Sequence, residues 1–458
     1  MKYLTADFGS TYTKLTAIDA TKAEIIGTSA AFTTIDTDVM EGYNCALQRL
    51  EEKIGAFKYD QLLCCSSAAG GLKMVALGLV PELTAKAARM AASSAGAKVV
   101  KTYAFEISKA EQNEICAIDP DLVLLCGGTD GGNKEVIISN ARKLCEIDRN
   151  FSTIVAGNKS ASDEVEKVFS ESGKDFVITE NVMPEFNKLN IEPAKQKIKE
   201  LFISKIIDAK GLNKVQSMTN SEIIPTPLAV LNGCELLSKG TDTTEGIGDL
   251  MAVDIGGATT DVYSISAGTP TFENVMIKGL PEPYNKRTVE GDLGMRYSLP
   301  PLADQTDLNA LSSEIGVDVD DILKWIETCK KFPNTLADKN SNNQKVEEGL
   351  AKSALKIAVE RHTGKVESTF TPFGEMYIVT GKDLTEVGSV VGIGGVLVNA
   401  ANADDILEGA KADKQNLMSL KPKQPKYLLD KKYIFGSMGL LSAIDAELAL
   451  TIMKKEIK

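Results

Sequence analysis

The chain has 458 residues, of which 43% are hydrophobic and 25% are charged, and its formal net charge is −12. A chain of this length is expected to form roughly two to four domains and to bury a sizeable core. The acidic balance argues against general binding to nucleic acid or to an anionic membrane, because affinity for phosphate backbones requires clustered Lys and Arg.

Several classes of protein are disfavoured by what the sequence lacks. The first ten residues read as a strand rather than a signal peptide, and no apolar run approaches the ~18–20 residues of a membrane span. The eight cysteines show no C-x-x-C spacing, which favours buried free thiols in a reducing cytoplasm. His362 is the single histidine, so Ser-His-Asp catalysis and His-rich metal sites have little to draw on.

Strand-like and helix-like stretches alternate through the first half of the chain. Strands are predicted at residues 3–8, 12–19, 24–31, 61–66, 98–103, 121–126, 152–157 and 175–179. Helices are predicted at residues 39–54, 72–95, 133–147, 160–171, 191–210 and 227–238. The run at 121–126 is apolar enough for a strand that is buried on both faces, as in a parallel sheet.

The second half begins with another hairpin pattern at residues 249–265 and then changes character. Residues 281–370 are polar and mostly helical by spacing, strands resume at 376–380 and 388–395, and a last helix is predicted at 438–457. The repeated strand-rich start predicts an α/β fold with two related domains, residues 1–240 and 241–458. The helical stretch is interpreted as an insertion in the second domain, and the last helix is expected to pack back on the first.

Two segments 247 residues apart have nearly the same pattern, Tyr3–Lys14 and Leu250–Asp261. In each, an apolar run ends in Asp, Gly and a cluster of small residues, and an alternating run follows, which predicts a β-hairpin. The glycines let the backbone come close to a ligand, and the N–H groups and hydroxyls can donate to phosphate oxygens. The Asp can hold a hydrated divalent cation. Two such hairpins are expected to clamp a nucleoside triphosphate.

A third element, Ser389–Asn399, reads as a strand, a Gly-rich turn and the start of a helix. Such a turn suits a phosphate or the face of a nucleoside. A lone G-x-G-G would fit simple close packing equally well. Its position after two Asp-Gly hairpins favours a nucleotide site.

This order of elements resembles that of the actin, sugar-kinase and heat-shock chaperone ATPases: a phosphate-1 loop, a phosphate-2 loop and an adenosine loop. The resemblance implies two ribonuclease-H-like domains around a nucleotide cleft that takes ATP or ADP with Mg²⁺. The residues that match the phosphate-1 loop are Asp7, Gly9, Ser10, Thr11 and Lys14. Those that match the phosphate-2 loop are Asp254, Gly256, Gly257, Ala258, Thr259, Thr260 and Asp261. Those that match the adenosine loop are Gly392, Gly394 and Gly395. By the same resemblance, Asp7, Asp254 and Asp261 would hold Mg²⁺ through its waters.

A finer resemblance rests on Arg287–Arg296, together with Ala6–Lys14 and Cys126–Gly132. These stretches are similar to the GlmL family, accessory proteins of the glutamate-mutase type that are also labelled MutL and are unrelated to mismatch repair. The resemblance covers essentially the whole chain. It implies an ATP-dependent factor that reactivates an adenosylcobalamin-dependent mutase, with or without a small second subunit.

Three further motifs each allow a structural and a functional interpretation. Glu290 and Asp292 fit either the cap of a helix or a position near the nucleotide. Gly127–Gly132 fits either a tight strand-to-helix turn or a loop at the cleft. Ser66–Gly71 ends a strand and could also donate toward a γ-phosphate.

The stretch Ile223–Ala229 has no carboxylate after Glu222, where the chaperone-like ATPases place a residue that positions the attacking water. Thr226 could align a water but not deprotonate it, so hydrolysis is predicted to be slow or partner-stimulated. The predicted catalytic residues are Asp7, Asp254 and Thr226.

Three alternatives share this fold. A small-molecule kinase would need a general base, for which Asp130 is the candidate. A filament-forming actin relative would need self-association surfaces. A 2-hydroxyacyl-CoA dehydratase activator would, by its family pattern, carry an iron–sulfur cluster and a Gln where this chain has Ala258.

Overall fold

The computed structural model describes residues 1–34, 37–67, 73–209, 212–372, 374–413 and 416–458. Contacts divide the chain into two compact units. Unit 1 comprises Met1–Val230 and Gly279–Pro281, and unit 2 comprises Leu231–Lys278 and Glu282–Lys458.

The described part of the chain up to Lys239 contains ten strands and eight α-helices, and the last of these helices continues into unit 2. The strands are β1 (Lys2–Phe8), β2 (Tyr12–Asp19), β3 (Glu24–Phe32), β4 (Gln61–Ser66), β5 (Lys73–Gly78), β6 (Lys98–Ala104), β7 (Leu122–Leu125), β8 (Ser152–Val155), β9 (Phe176–Ile178) and β10 (Ile224–Pro225). The helices are α1 (Val39–Ile54), α2 (Lys86–Ser94), α3 (Lys109–Ile118), α4 (Glu135–Cys145), α5 (Ser162–Ser172), α6 (Glu192–Ala209), α7 (Leu212–Met218) and α8 (Thr226–Lys239).

The described part of unit 2 after Lys239 contains a further set of strands and helices. The strands are β11 (Leu250–Ile255), β12 (Thr260–Ile265), β13 (Val275–Lys278), β14 (Asn285–Glu290), β15 (Lys365–Thr371), β16 (Gly374–Thr380), β17 (Ser389–Ile393) and β18 (Lys426–Leu429). The helices are α9 (Leu299–Asp304), α10 (Leu308–Ile315), α11 (Val319–Lys331), α12 (Asn342–His362), α13 (Gly395–Val398), α14 (Ala403–Leu407), α15 (Phe435–Leu441) and α16 (Ala446–Glu456).

The first sheet of each unit has the same topology. In unit 1 the order is β3-β2-β1-β4-β10, and in unit 2 it is β14-β12-β11-β17-β18. In both, the first three strands in sequence are antiparallel neighbours and the last two are parallel to the first. This is the ribonuclease-H-like arrangement, present twice, and the predicted α/β fold class is confirmed.

Unit 1 also contains a second sheet, which the sequence did not reveal as a separate layer. Its order is β6-β5-β7-β8-β9 and all of its pairings are parallel. Helices α2 and α6 contribute to the core on one face, and α3, α4 and α5 to the core on the other. Helices on both faces are what a parallel sheet requires, because its strands are apolar on both sides.

The helix predicted over residues 72–95 is wrong in its first part. Residues 73–78 form β5, which lies between β6 and β7 and is buried at five of its six positions. A short apolar run has no periodicity that separates a buried strand from a buried helix, so only the neighbouring strands decide its state. The helical part begins with a π-helical turn at Pro81–Ala85 and continues as α2.

The predicted helical insertion at 281–370 is confirmed in its middle and corrected at its ends. Helices α9 to α12 occupy the middle, but β14 is the third strand of the main sheet of unit 2. At the other end, β15 belongs to a small sheet with the order β13-β16-β15. The helix predicted at 438–457 is two helices, α15 and α16, and the side chain of Asp445 caps the second. Both helices lie in unit 2.

Among the described residues, no helix is both long enough and apolar enough to cross a membrane.

Candidate functional site

The first hairpin, β1 and β2, pairs Asp7 with Lys14 across its end. The N–H of Gly9 donates to the carbonyl of Tyr12 at 3.1 Å and closes the turn at residues 9–11, here called the first turn. A Cβ on Gly9 would lie 2.6 Å from that same carbonyl oxygen, so the backbone has room only for glycine there.

Thr33 donates hydrogen bonds to two carbonyl groups of the first turn. Its hydroxyl donates to the carbonyl of Gly9 at 2.8 Å, and its N–H donates to the carbonyl of Thr11 at 3.0 Å. Within the described part of the chain, the N–H groups of Ser10 and Thr11 donate to no protein acceptor. The first turn therefore keeps donors available for an anion.

The carboxylate of Asp7 lies at the base of the first turn with 15% of its side chain exposed. The hydroxyl of Thr226 donates to it at 2.6 Å, and the thiol of Cys65 donates at 3.5 Å. Burial raises the pKa of Cys65 well above its ordinary value, and the charge of Asp7 raises it further, so the thiol keeps its proton. The ammonium of Lys14 lies 3.9 Å from the other carboxylate oxygen. The structure therefore brings the predicted residues Asp7, Lys14 and Thr226 together.

The second hairpin, β11 and β12, repeats this backbone. Asp254 pairs with Asp261, and the N–H of Gly256 donates to the carbonyl of Thr259 at 2.9 Å, which closes the second turn at residues 256–259. Thr260, at the start of β12, is buried, and its hydroxyl donates to the carbonyl of Leu293.

A segment outside the hairpin takes up the carbonyl groups of the second turn. We call it the clasp segment, residues 291–298. Its hydrogen bonds to the turn run from the N–H of Met295 to Gly256 at 3.0 Å, from the N–H groups of Arg296 and Tyr297 to Gly257 at 2.8 Å, and from the hydroxyl of Ser298 to Ala258 at 2.7 Å. Among the described residues, no protein acceptor is bonded to the N–H of Gly257 or of Ala258.

Asp261 already has a strong cationic partner. Arg287 donates from Nε at 2.8 Å and from Nη2 at 2.6 Å to one oxygen of Asp261, and both side chains are buried. Burial lowers the pKa of Arg287, but Asp261 and Tyr263 raise it more, so the net direction is upward. Removing either partner would leave a buried charge uncompensated. The pairing favours a positioning role for Asp261, and metal binding by this residue stays a prediction.

Asp254 is half-buried at the end of β11, beside a buried thiol. Burial raises the pKa of Cys234, and the carboxylates of Asp254 and Asp430 raise it further. Asp430 is itself committed, since its two oxygens accept from the N–H groups of Ile434 and Phe435 at 3.0 Å. Cation binding by Asp254 stays a prediction.

Glu290 and Asp292 meet at a guanidinium that the sequence did not suggest. Arg361 donates to Glu290 at 2.6 Å and to the two oxygens of Asp292 at 2.9 and 3.0 Å, and it also donates to Gln305. Neither acid caps a helix at this position, because Asp292 lies within the clasp segment and α9 begins only at Leu299. Their role near a nucleotide stays a prediction.

The predicted adenosine turn divides into two roles. Gly394 has φ +117°, and a Cβ there would lie 2.4 Å from the carbonyl oxygen of Ile255. The turn therefore lies against β11, at the strand that leads into the second turn. A Cβ on Gly392 would instead meet the side chains of Leu397 and Leu407 at 2.9 and 3.0 Å, which is a packing role. Gly395 opens α13.

Gly127–Gly132 is a strand-to-helix turn between β7 and α4. Asn158 accepts from the N–H of Gly131 at 3.1 Å and donates to the carbonyl of Gly132 at 3.0 Å. Asn181 donates to the carboxylate of Asp130 at 2.9 Å. Through its bond to Asn181, Asp130 stabilises the loop at residues 127–132.

The motif at Ser66–Gly71 is described only in its first part. Ser67 donates its N–H to the carbonyl of Phe8 at 2.9 Å, and the hydroxyl of Ser66 lies 3.4 Å from the same carbonyl oxygen. Residues 68–71, on which the γ-phosphate interpretation mainly depends, lie outside the described residues.

The two repeated sheets and their Asp-Gly hairpins define the class of protein. Ribonuclease-H-like sheets present twice, each opening on such a hairpin, are the architecture expected from the actin and sugar-kinase resemblance.

The family follows from comparison with known sequences. The model of the MutL protein family matches residues 3–457. Protein MutL of Clostridium tetanomorphum is 46% identical over 459 residues, which cover 99% of this chain and 98% of that protein. The chain belongs to the MutL protein family.

Solved structures show only a distant likeness. The activator of 2-hydroxyisocaproyl-CoA dehydratase from Clostridium difficile with bound ADPNP is 10% identical and has a TM-score of 0.30, over 100% of this chain and 98% of that one. Xylulose kinase from Lactobacillus acidophilus is 9% identical with a TM-score of 0.36, over 100% of this chain and 92% of that one. Scores this low support no functional conclusion.

Proposed function

We propose that the chain binds ATP with Mg²⁺ through the two turns, hydrolyses it slowly, and serves as an accessory reactivating factor for an adenosylcobalamin-dependent mutase. One observation carries the nucleotide part. In each turn, protein donors occupy at least two carbonyl groups, while two of the N–H groups face no protein acceptor in the described structure.

Backbone N–H groups arranged in this way suit the phosphates of a nucleotide. Ser10 and Thr11 in the first turn, and Gly257 and Ala258 in the second, supply donors that need no side-chain rearrangement. Lys14 adds a positive charge on the strand that follows the first turn. The adenosine turn beside β11 is the proposed position for the nucleoside.

The donor set suits a magnesium ion. Within the described residues no three His, Cys, Asp or Glu side chains are grouped as a ready-made metal site. Mg²⁺ normally keeps several waters and uses one or two carboxylates with substrate phosphates, so Asp7 and Asp254 are sufficient donors. When bound, the ion would neutralise the charge of the phosphates.

The surroundings of Asp7 explain why hydrolysis is proposed to be slow. The hydroxyl of Thr226 donates its hydrogen bond to Asp7 at 2.6 Å. The hydroxyl oxygen can therefore only accept a hydrogen bond from an attacking water. A threonine hydroxyl in this state orients water without deprotonating it. Slow turnover suits a switch, in which ATP and ADP favour different conformations and hence different affinities for a protein partner.

The mutase as partner rests on the family resemblance of Arg287–Arg296 and the associated motifs. The test has two parts. A pull-down from native lysate, with and without ATP, identifies the retained enzyme. ATP hydrolysis is then measured with a cobalamin-inactivated mutase of the glutamate type, and both the ATPase rate and the recovered mutase activity are expected to rise. A chain that binds ATP but is neither stimulated by such a mutase nor able to reactivate one would contradict the accessory role.

The alternatives have less support. A kinase would need a free general base, whereas Asp130 is held by Asn181 and by the N–H of Lys159 at 3.0 Å. Phosphate transfer to a panel of sugars and acyl acids would revive that function. The dehydratase-activator function is tested by the absorption spectrum of anaerobically purified protein. An iron–sulfur absorption band would support that function, and a colourless protein would contradict it.

A further inference from the structure

We propose that Arg361 is a positioning residue for the second turn: it fixes the clasp segment, and the clasp segment holds the turn in its donor-presenting geometry. The effect on nucleotide affinity rests on the proposed function, whereas the effect on the clasp segment does not.

The contacts begin at the last turn of α12. Nη1 of Arg361 donates to Glu290 at 2.6 Å and to Asp292 at 2.9 Å, and Nη2 donates to the other oxygen of Asp292 at 3.0 Å. A guanidinium is suited to this task because its planar fork can serve two carboxylates at once. The hydrogen bond from Arg361 lowers the pKa of Asp292, so Asp292 is held as an anion at neutral pH.

The two acids enclose the start of the clasp segment. Glu290 is the last residue of β14 and pairs with Thr260 of the second hairpin. Asp292 stands two residues later, and the carbonyl of Gly291 between them lies 2.7 Å from the hydroxyl of Ser298. That hydroxyl also lies 2.7 Å from the carbonyl of Ala258 in the second turn. Fixing the acids therefore fixes the route of the segment toward the turn.

The other end of the segment has its own anchor on the same helix. Nη2 of Arg296 lies 2.6 Å from Glu347 in the first half of α12, and the guanidinium also donates to the carbonyls of Pro333 and Thr335. Burial raises the pKa of Glu347, and Arg296 offsets only part of that rise. Helix α12 thus grips the clasp segment near both of its ends.

Arg361 also neutralises negative charge beside the second turn. Without it, two carboxylates separated by one glycine would lie beside the turn that is proposed to hold phosphate. Like charges at this separation repel each other and would also disfavour an approaching anion. Loss of Arg361 is therefore expected to loosen the segment and to weaken nucleotide binding together.

The test measures amide hydrogen exchange in the nucleotide-free, full-length chain. Arg361→Gln is expected to speed exchange by about tenfold at the amides of Met295, Arg296 and Tyr297, which donate to the second turn. Lys352→Gln is the matched control. It lies on the same helix and removes a cation with two carboxylate partners, Glu314 at 2.7 Å and Asp405 at 3.1 Å, neither of which is in the clasp segment.

Arg361→Lys is expected to recover part of the protection, because one ammonium cannot reproduce the fork. ATP affinity, measured in parallel, is expected to fall by about fivefold to tenfold in Arg361→Gln and to stay unchanged in Lys352→Gln. Unchanged exchange at residues 295–297 in Arg361→Gln would overturn the positioning role, and so would faster exchange spread over peptides of unit 1. If the unmodified chain binds no ATP, the proposed function fails and the exchange result alone decides the role of Arg361.

Discussion

The two hairpins have one backbone and two kinds of support. Both pair Asp with the residue seven positions on, and both close on a Gly N–H bonded three residues ahead. Two carbonyls of the first turn, those of Gly9 and Thr11, are held by Thr33, which follows β3 of the same sheet. Those of the second are held by the clasp segment, which is itself anchored on α12. The same local geometry is thus braced from nearby in one unit and from a helical insertion in the other.

The charges also differ at equivalent positions. Lys14 lies opposite Asp7, whereas Asp261 lies opposite Asp254 and is neutralised by Arg287. The Asp of the first hairpin therefore lies opposite a cation, Lys14. The Asp of the second lies opposite a second carboxylate, Asp261, which is paired with Arg287. Asp7 and Asp254, the two carboxylates that we propose as magnesium ligands, therefore have different residues opposite them.

The largest expected effect comes from these two carboxylates. Asp7→Ala and Asp254→Ala are each expected to weaken Mg²⁺-dependent ATP binding on the order of 100-fold, as for groups that orient a metal's ligands. Titration with a fluorescent ATP analogue measures it, with circular dichroism to verify the fold. Asp242→Ala, at an exposed position, is the control and is expected to bind normally. Unchanged affinity in both site variants would contradict the assignment.

The turn glycines should respond unequally. A Cβ on Gly9 would lie 2.6 Å from the carbonyl oxygen of Tyr12, but one on Gly256 would lie 3.0 Å from that of Thr259. Gly9→Ala is therefore expected to cost about 1–3 kcal/mol of stability and Gly256→Ala less than about 1 kcal/mol. Thermal unfolding midpoints of the two variants, compared with the unmodified chain, give the order. A larger loss in Gly256→Ala than in Gly9→Ala would contradict the order expected from these distances.

A buried amine under the second hairpin gives a pH test. Lys382 donates to the carbonyls of Ser264 on β12 and of Tyr284, and burial, with Lys286 nearby, lowers its pKa to about 7 against the favourable charges of Glu282 and Asp249. Between the folded pKa and the ordinary value of 10.5, the unfolded chain binds the extra proton. Stability should therefore rise with pH in that window.

The expected gain from pH 7 to about 8.5 is of order 1 kcal/mol, read as a difference from Lys382→Met in urea unfolding. The thiols, whose ordinary pKa is about 8.5, are the same in both proteins, so their titration cancels in this difference. The Met variant is expected to lose this part of the slope. Equal slopes in the two proteins would show that the amine stays charged when folded.

The smallest effects are expected at the braces. Thr33→Val removes the hydroxyl bond to Gly9, and Ser298→Ala removes the hydroxyl beside Ala258. Each variant is expected to lose about 0.5–1.5 kcal/mol of the free energy of ATP binding, which corresponds to a loss of up to about tenfold in ATP affinity. Amide exchange should rise only around the turn that has lost its brace. A Ser298→Ala variant that loosens the first turn would break the distinction between the two supports.

Much of the fold was predictable because strands and hairpins leave local signals. The predicted strands at 12–19 and 61–66 match β2 and β4 in both limits, and helix 39–54 matches α1. Strand β5 of the parallel sheet was missed because a six-residue apolar strand has no periodicity of its own. Its state depends on β6 and β7, which flank it in the sheet.

The candidate site divides in the same way. The sequence alone determined the turns, because an Asp, a Gly and a small-residue cluster within eight positions set the hairpin and its donors. Tertiary structure decided what holds those turns and which cations pair with the acidic residues around them. Arg361 is 71 residues from Glu290, and Arg287 meets Asp261 only through the pairing of β12 with β14. Such contacts depend on strand order and helix packing, which no short window of sequence encodes.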